Sequence, residues 1–294
     1  MKKRLFVFIT GQYRKFWHSW NNLVVNLFKP NDPYFEIHVC VGIDKTWRST
    51  GYLWAEGDRE VFEKHLHKEW ASIGGKNIIL QWVDCNNPYL QDAVSSLEDY
   101  REKNILTPYW FDYLVHRSGS CIEYAQIAQL YEIISSKYEI NDDDLMMRTR
   151  TDILLRHPIC FDSIPPDVSS PTQKIFQNLF KGSQHFDQFE EPTGREVSIF
   201  PSTPTQQNWI ITMRKNLIYI MPLKAGKLLL ELVRHYGDWD TPEHNTYWFN
   251  AESQFRGCFR NNGFTLWEHS QNKDECFGDF ENLPDEFPLY AIYR

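Results

Sequence analysis

Three charged side chains at alternate positions, Arg148, Arg150 and Asp152, interrupt the otherwise apolar end of DDLMMRTRTDILL at 143–155. Leu145, Met146 and Met147 read as a strand entering a core, and Ile153, Leu154 and Leu155 as the chain leaving it. Alternation along a strand sends Arg148, Arg150 and Asp152 to one face. Two forked guanidinium groups beside an acid can seat a diphosphate, with Asp152 sharing a divalent metal that bridges its oxygens. The same residues can instead form an Arg–Asp bridge tying the strand to the loop beyond it. Spacing alone leaves both readings open.

Two other strand ends carry polar groups. The apolar run LFVFIT is followed by Gly11, Gln12, Tyr13 and Arg14. Gly11 permits a tight turn after Thr10, the next amides can face a phosphate, and Arg14 adds a forked donor. An ordinary strand-to-helix turn has the same composition. No G-x-G-x-x-G or G-x-x-x-x-G-K motif occurs. FEIHVCVGID (35–44) ends in Asp44, which suits either a ribose or base contact or a turn cap.

The elements that must position these ends are legible as a pattern. FWHSWNNLVVNLF (16–28) has a helical apolar face and is expected to stop at Pro30 and Pro33. A helix over 58–70, a strand over 77–84 and a long helix near 119–137 follow, with the Arg148 strand directly after. Strands alternating with helices at this spacing predict a parallel sheet wound by crossover helices. In such sheets ligands bind outside the carboxyl ends of the strands. Beyond 157 the chain reads as loop-rich, with a strand at 208–213, helices at 222–236 and 242–261, a last strand at 264–269 and an irregular tail. The expectation is one α/β domain over 1–294, its first half (1–156) a nucleotide-fold half and its second (157–294) loop-rich.

Composition narrows the function class. Hydrophobic residues are 42% and aromatics 16% of the 294, enough for a packed core. Thirty-nine acids against 31 bases give −8, which argues against nonspecific binding of nucleic acid or anionic membrane. The six cysteines are scattered, with no zinc-knuckle or CxxC spacing, and read as free thiols of a reducing compartment. No window is long and apolar enough for a membrane span, so a soluble, cytoplasmic protein is expected.

TGQYRKFWHSWNNLV, YEINDDDLMMRTRTDILL and FNAESQFRGCFRNNGFTL, in that order, resemble a family of GT-A-type glycosyltransferases found in giant viruses and bacteria. The resemblance implies a GT-A-like wound, mostly parallel sheet and a nucleotide-sugar-dependent transferase, in the host cytoplasm if viral. It implies that Thr10, Gly11 and Arg14 line the nucleotide pocket, with Gln12 between them. Asp152 looks like the one acid kept of a D-x-D pair, holding Mn²⁺ or Mg²⁺. Arg150 stands where the other acid is expected, so arginine would share in neutralising the diphosphate. Glu252 is the implied acceptor-side acid.

Glycosyl transfer with inversion also needs a base for the acceptor hydroxyl. Glu252, Asp238, Asp240 and His244 are the candidates, with Trp239, Tyr247 and Trp248 able to stack on a sugar. Thr241, Pro242 and Glu243 read simply as a helix start. The partners expected are thus a nucleotide-sugar and a glycan or glycoconjugate acceptor. The alternative is a non-catalytic carbohydrate- or nucleotide-binding protein on the same fold. A nucleotidyltransferase is disfavoured, because TGQYRK is too poor in glycine for its phosphate loop.

Overall fold

The computed structural model describes residues 2–13, 16–47, 52–53, 55–84, 86–117, 120–164, 179, 189–190, 208–213, 218–242, 247–269, 276–277 and 290–293. Arg14 and His244, both candidates from sequence, lie outside the described residues. The strands, in chain order, are β1 (Lys3–Gly11), β2 (Phe35–Asp44), the short pair β3 (Thr46–Trp47) and β4 (Tyr52–Leu53), and β5 (Asn77–Val83). They continue with β6 (Leu145–Arg150), β7 (Ile153–Leu155), β8 (Phe189–Glu190), β9 (Trp209–Met213), β10 (Ile218–Pro222), β11 (Thr265–His269), β12 (Cys276–Phe277) and β13 (Tyr290–Tyr293).

The main sheet has the order β5-β2-β1-β6-β10-β9-β11-β8. β5, β2, β1 and β6 run parallel; β10 is antiparallel to both β6 and β9, and β11 is parallel to β9. The protein is therefore α/β, with a mixed, mostly parallel sheet flanked by helices. Strands from both halves of the sequence share that sheet.

β1 is an unbroken apolar run because both faces of the sheet are covered. Phe6 and Phe8 point into one layer, with the helices Pro88–Glu102, Ser120–Lys137, Lys227–Arg234 and Ala251–Asn261. Leu5, Val7 and Ile9 point into the other, against the helices Phe16–Leu23 and Glu56–Ser72 and the segment after β7. Each such side chain, wholly buried, contributes about 1.5–3 kcal/mol.

Several boundaries differ from the sequence pattern, for local reasons. Pro30 does not stop the first helix: Phe16–Leu23 passes through a π turn at Val24–Phe28 and continues as Lys29–Asn31. Proline lacks the N–H that would reach Asn26, and the freed Asn26 carbonyl accepts from the Ile159 amide at 2.8 Å. The interval before 119 holds two helices, Pro88–Glu102 and Pro108–Asp112. Asn87 and Thr107 cap them by accepting from the amides of Leu90 and Trp110, and each cap is followed by proline.

The last helix starts at Ala251, not 242. Asp240 caps the Thr241 amide at 2.9 Å, and Gln254 accepts from the amides of Gly237 and Trp239, which holds 237–241 as a turn. Lys227–Arg234 follows a 3-10 turn at Leu223–Gly226. The tail is not wholly irregular, since β13 pairs with β7 and β12 in a second sheet.

Candidate functional site

β1 lies between β2 and β6. The chain winds outward from β1 through β2 to β5, then returns to β1's other side as β6. The winding therefore reverses between β1 and β6, and at such a reversal the crevice outside the carboxyl ends is where open α/β sheets bind ligands. Thr10 pairs with Arg150 across this seam, and Phe8 with Arg148. Gly11, which ends β1, has φ +133°, and a Cβ there would meet Thr151 Oγ1 at 3.1 Å. The Thr151 hydroxyl donates to the Gln12 carbonyl and its amide to the Thr10 carbonyl at 3.2 Å. β1 and β6 are thereby stitched together at their ends.

Alternation does bring Arg148 and Arg150 to one face, where both meet Glu123 in the first turn of Ser120–Lys137. Arg148 donates to Glu123 Oε2 at 3.0 Å and to Thr10 Oγ1 at 3.1 Å. Arg150 stands 3.6 Å from Glu123 Oε1. Asp152 is not on the strand: β6 ends at Arg150, and Asp152 sits in the turn before β7. It returns to Arg150 as a two-pronged partner, each of its oxygens 2.8 Å from a guanidinium nitrogen. Arg148 and Asp152 are buried. Two cations and two anions thus close into one network, as buried charges must.

Glu123 is the member that sequence reading missed. Ser120 followed three residues later by Glu123 reads as a capping box, which masks a carboxylate facing the sheet. Two more polar groups on this face of the sheet have no hydrogen-bond partner: the side-chain amide of Gln126 and the hydroxyl of Tyr219, both fully buried. Tyr219 pairs with Arg148 across β10 and β6. Burial pushes its phenol well above the ordinary range; Arg148 opposes the shift and Glu123 adds to it. Gln126 lies over Gly42, where a Cβ would come within 3.3 Å of its own and 3.5 Å of the Thr10 methyl. Asp44 is buried at the end of β2.

The helix Ala251–Asn261 covers this end of the sheet. Phe255 packs on Tyr219, with ring centroids 5.0 Å apart, and the Tyr124 hydroxyl donates to the Ala251 carbonyl at 3.1 Å. Glu252, half-buried, precedes Phe255 by three residues and so shares its face. Asp238 accepts from the Tyr100 hydroxyl at 2.6 Å, and Asp240 serves its turn. Of the three aromatics expected to stack on a sugar, Trp248 is buried against Tyr100, Trp239 is half-buried and Tyr247 is exposed. Tyr109 and Tyr113, also exposed, flank Trp110, which leans on Phe249 at 5.0 Å.

The segment after β7 is positioned by asparagines that no motif announced. Asn22 both donates to and accepts from the Leu155 backbone, and Asn26 donates to the same carbonyl at 2.9 Å. Buried Asn31 bridges the Ile159 carbonyl and the Phe161 amide.

A divalent ion does not fit the residues as arranged. It needs several oxygen ligands, whereas both Asp152 oxygens are held by Arg150. Among the described residues no three His, Cys, Asp or Glu side chains converge as a metal site. Nor is any helix among them long and apolar enough to cross a membrane. No protein-family model matches the chain, and no curated protein matches it.

Proposed function

We propose that the protein is a nucleotide-sugar-dependent glycosyltransferase of GT-A-like architecture, with the donor diphosphate at the carboxyl ends of β1 and β6. The observation that carries the reading is the paired Arg148 and Arg150 at the reversal of the winding, beside Gly11 and two orphaned polar groups. A buried polar group without a partner costs about 1–3 kcal/mol, so two in one place suit a site better than a scaffold.

In the reaction, the bond from the anomeric carbon to the diphosphate oxygen breaks, and the acceptor oxygen bonds to that carbon. The leaving diphosphate takes the electron pair, and Arg148 and Arg150 neutralise it. Glu252, on the helix above Tyr219, takes the acceptor proton if the centre inverts. The exposed Tyr109, Tyr113 and Tyr247 suit the apolar face of a glycan acceptor. Arginine rather than metal faces the diphosphate, so stabilisation by a donor is expected to persist in EDTA.

One observation favours a second reading, a nucleotide- or carbohydrate-binding protein without turnover: both guanidinium groups already hold carboxylates. Thermal unfolding with UDP-, GDP-, CMP- and dTDP-sugars, each with Mn²⁺ and with EDTA, tests the site itself. At one hundred times Kd a donor stabilises by about 2.7 kcal/mol. No shift with any donor would overturn the transferase reading and, with it, a nucleotide-binding role. A shift without donor hydrolysis or transfer supports the second.

A further inference from the structure

A cavity of about 530 Å³ opens at the amino ends of β2 and β5, across the sheet from the arginine network. That volume lies within the range of small-molecule sites. Phe28, Phe35, Ile37, Trp70 and Ile73 give it an apolar lining, and Lys2, Lys29 and Lys76 bring three amines. Trp70 is fixed edge-on by Trp20 and Phe28, at centroid distances of 6.0 and 5.1 Å. Gly75 lies directly on its indole, where a Cβ would come within 2.1 Å, and the indole N–H has no acceptor.

The charges are unevenly spent. Glu36 accepts from Asn77 at 2.7 Å and stands 3.4 Å from His38. Lys2 donates to the Asp32 carbonyl. The amines of Lys29 and Lys76 form no ion pair with a described residue. Three amines against the two acids Asp32 and Glu36 make a positive locus in a chain of net charge −8.

We propose that this cavity binds a small planar aromatic anion, its rings on the apolar lining and its charge drawn by Lys29 and Lys76. A neutral ligand would leave the amines unused, and a purely ionic one would leave the aromatic lining unused. The position, at the opposite strand ends from the donor crevice, makes the proposal independent of the transferase reading.

The test uses 8-anilinonaphthalene-1-sulfonate and its uncharged counterpart N-phenyl-1-naphthylamine, titrated by fluorescence into the folded chain. The sulfonate is expected to bind saturably and about tenfold more tightly than the amine, the ratio set by the lysines. Lys29→Glu with Lys76→Glu, both surface positions, is expected to weaken sulfonate binding about tenfold with the unfolding midpoint and amine binding unchanged. Lys29→Gln with Lys76→Gln should fall between. Absence of saturable sulfonate binding, equal affinity for the two probes, or sulfonate binding that survives the charge reversals would overturn the proposal.

Discussion

Two arginine–carboxylate clusters sit at opposite ends of the same two strands, β1 and β6. At the amino ends Arg4 holds Asp144, which is buried; Arg4 Nε donates to Asp144 Oδ1 at 2.8 Å and the outer nitrogen reaches the second oxygen. Asp144 also accepts from the Asn141 amide, while its carbonyl accepts from Leu223. Both carboxylate oxygens are therefore engaged, and Asp144 holds the guanidinium above its ordinary pKa. At the carboxyl ends the same chemistry is doubled, as Arg148, Arg150, Glu123 and Asp152, and set among a glycine at positive φ and orphaned polar groups. An ion pair of this kind is therefore no mark of a site. What distinguishes the second cluster is its two arginines on one face and its place where the winding reverses.

The comparison breaks first at Asp144. Asp144→Ala takes both carboxylate oxygens from Arg4, leaving its outer nitrogen the Glu139 carbonyl, and is expected to cost about 2–3 kcal/mol of stability, read as a lower urea midpoint. Ligand binding at the far end of the strands should not change once the variant is folded. Gly11→Ala comes next. Its φ of +133° is strained for any side chain, and the new methyl would press on Thr151. The expected loss is about 1–3 kcal/mol by denaturant unfolding.

Much of this frame was legible, because it rests on periodicity. β2 appears with the bounds its alternation and Asp44 suggest, and β1 extends the apolar run by a residue or two at each end. The helices at 88–102 and 108–112 are signalled by Asn87-Pro88 and Thr107-Pro108, a cap and a first-turn proline, rather than by apolar periodicity. What periodicity cannot reach is pairing between distant residues. Asp152 lies past the strand and meets Arg150 only because the turn folds back. Glu123 is 25 residues from Arg148 in sequence and meets it because the crossover helix begins above the ends of β1 and β6. The acids 142–144 look alike in sequence, yet exposed Asp142 meets Lys224 while Asp144 is buried against Arg4.

Glu123→Gln sharpens the comparison most. The amide keeps the shape but leaves Arg148 and Arg150 with one compensating charge, Asp152. A loss of about 1 kcal/mol is expected, since Glu123 is partly exposed and Thr10 still accepts from Arg148. If the cluster seats a diphosphate, UDP should bind more tightly to this variant while its stability falls. Opposite signs in the two measurements would separate a site from a brace. A fall in stability with UDP affinity unchanged would align the carboxyl-end cluster with the Arg4–Asp144 pair.

The smallest effect is expected beside that amino-end pair, at His38. Its ring is buried, stacked on Phe6 at 4.5 Å, and neither ring nitrogen has a hydrogen-bond partner. Burial holds its pKa below the ordinary 6.5; Glu36 and Asp144 pull it upward and Arg4 and Lys137 push it down. A histidine depressed in the folded state favours folding while neutral. That contribution is complete above the unfolded value near 6.5 and is lost as pH falls from there through the folded pKa. Unfolding free energy of the wild type should therefore decline with falling pH in that window, beyond the decline shown by His38→Gln. Parallel pH profiles for the two proteins would show that His38 titrates alike folded and unfolded, and would remove it from the account of the amino end.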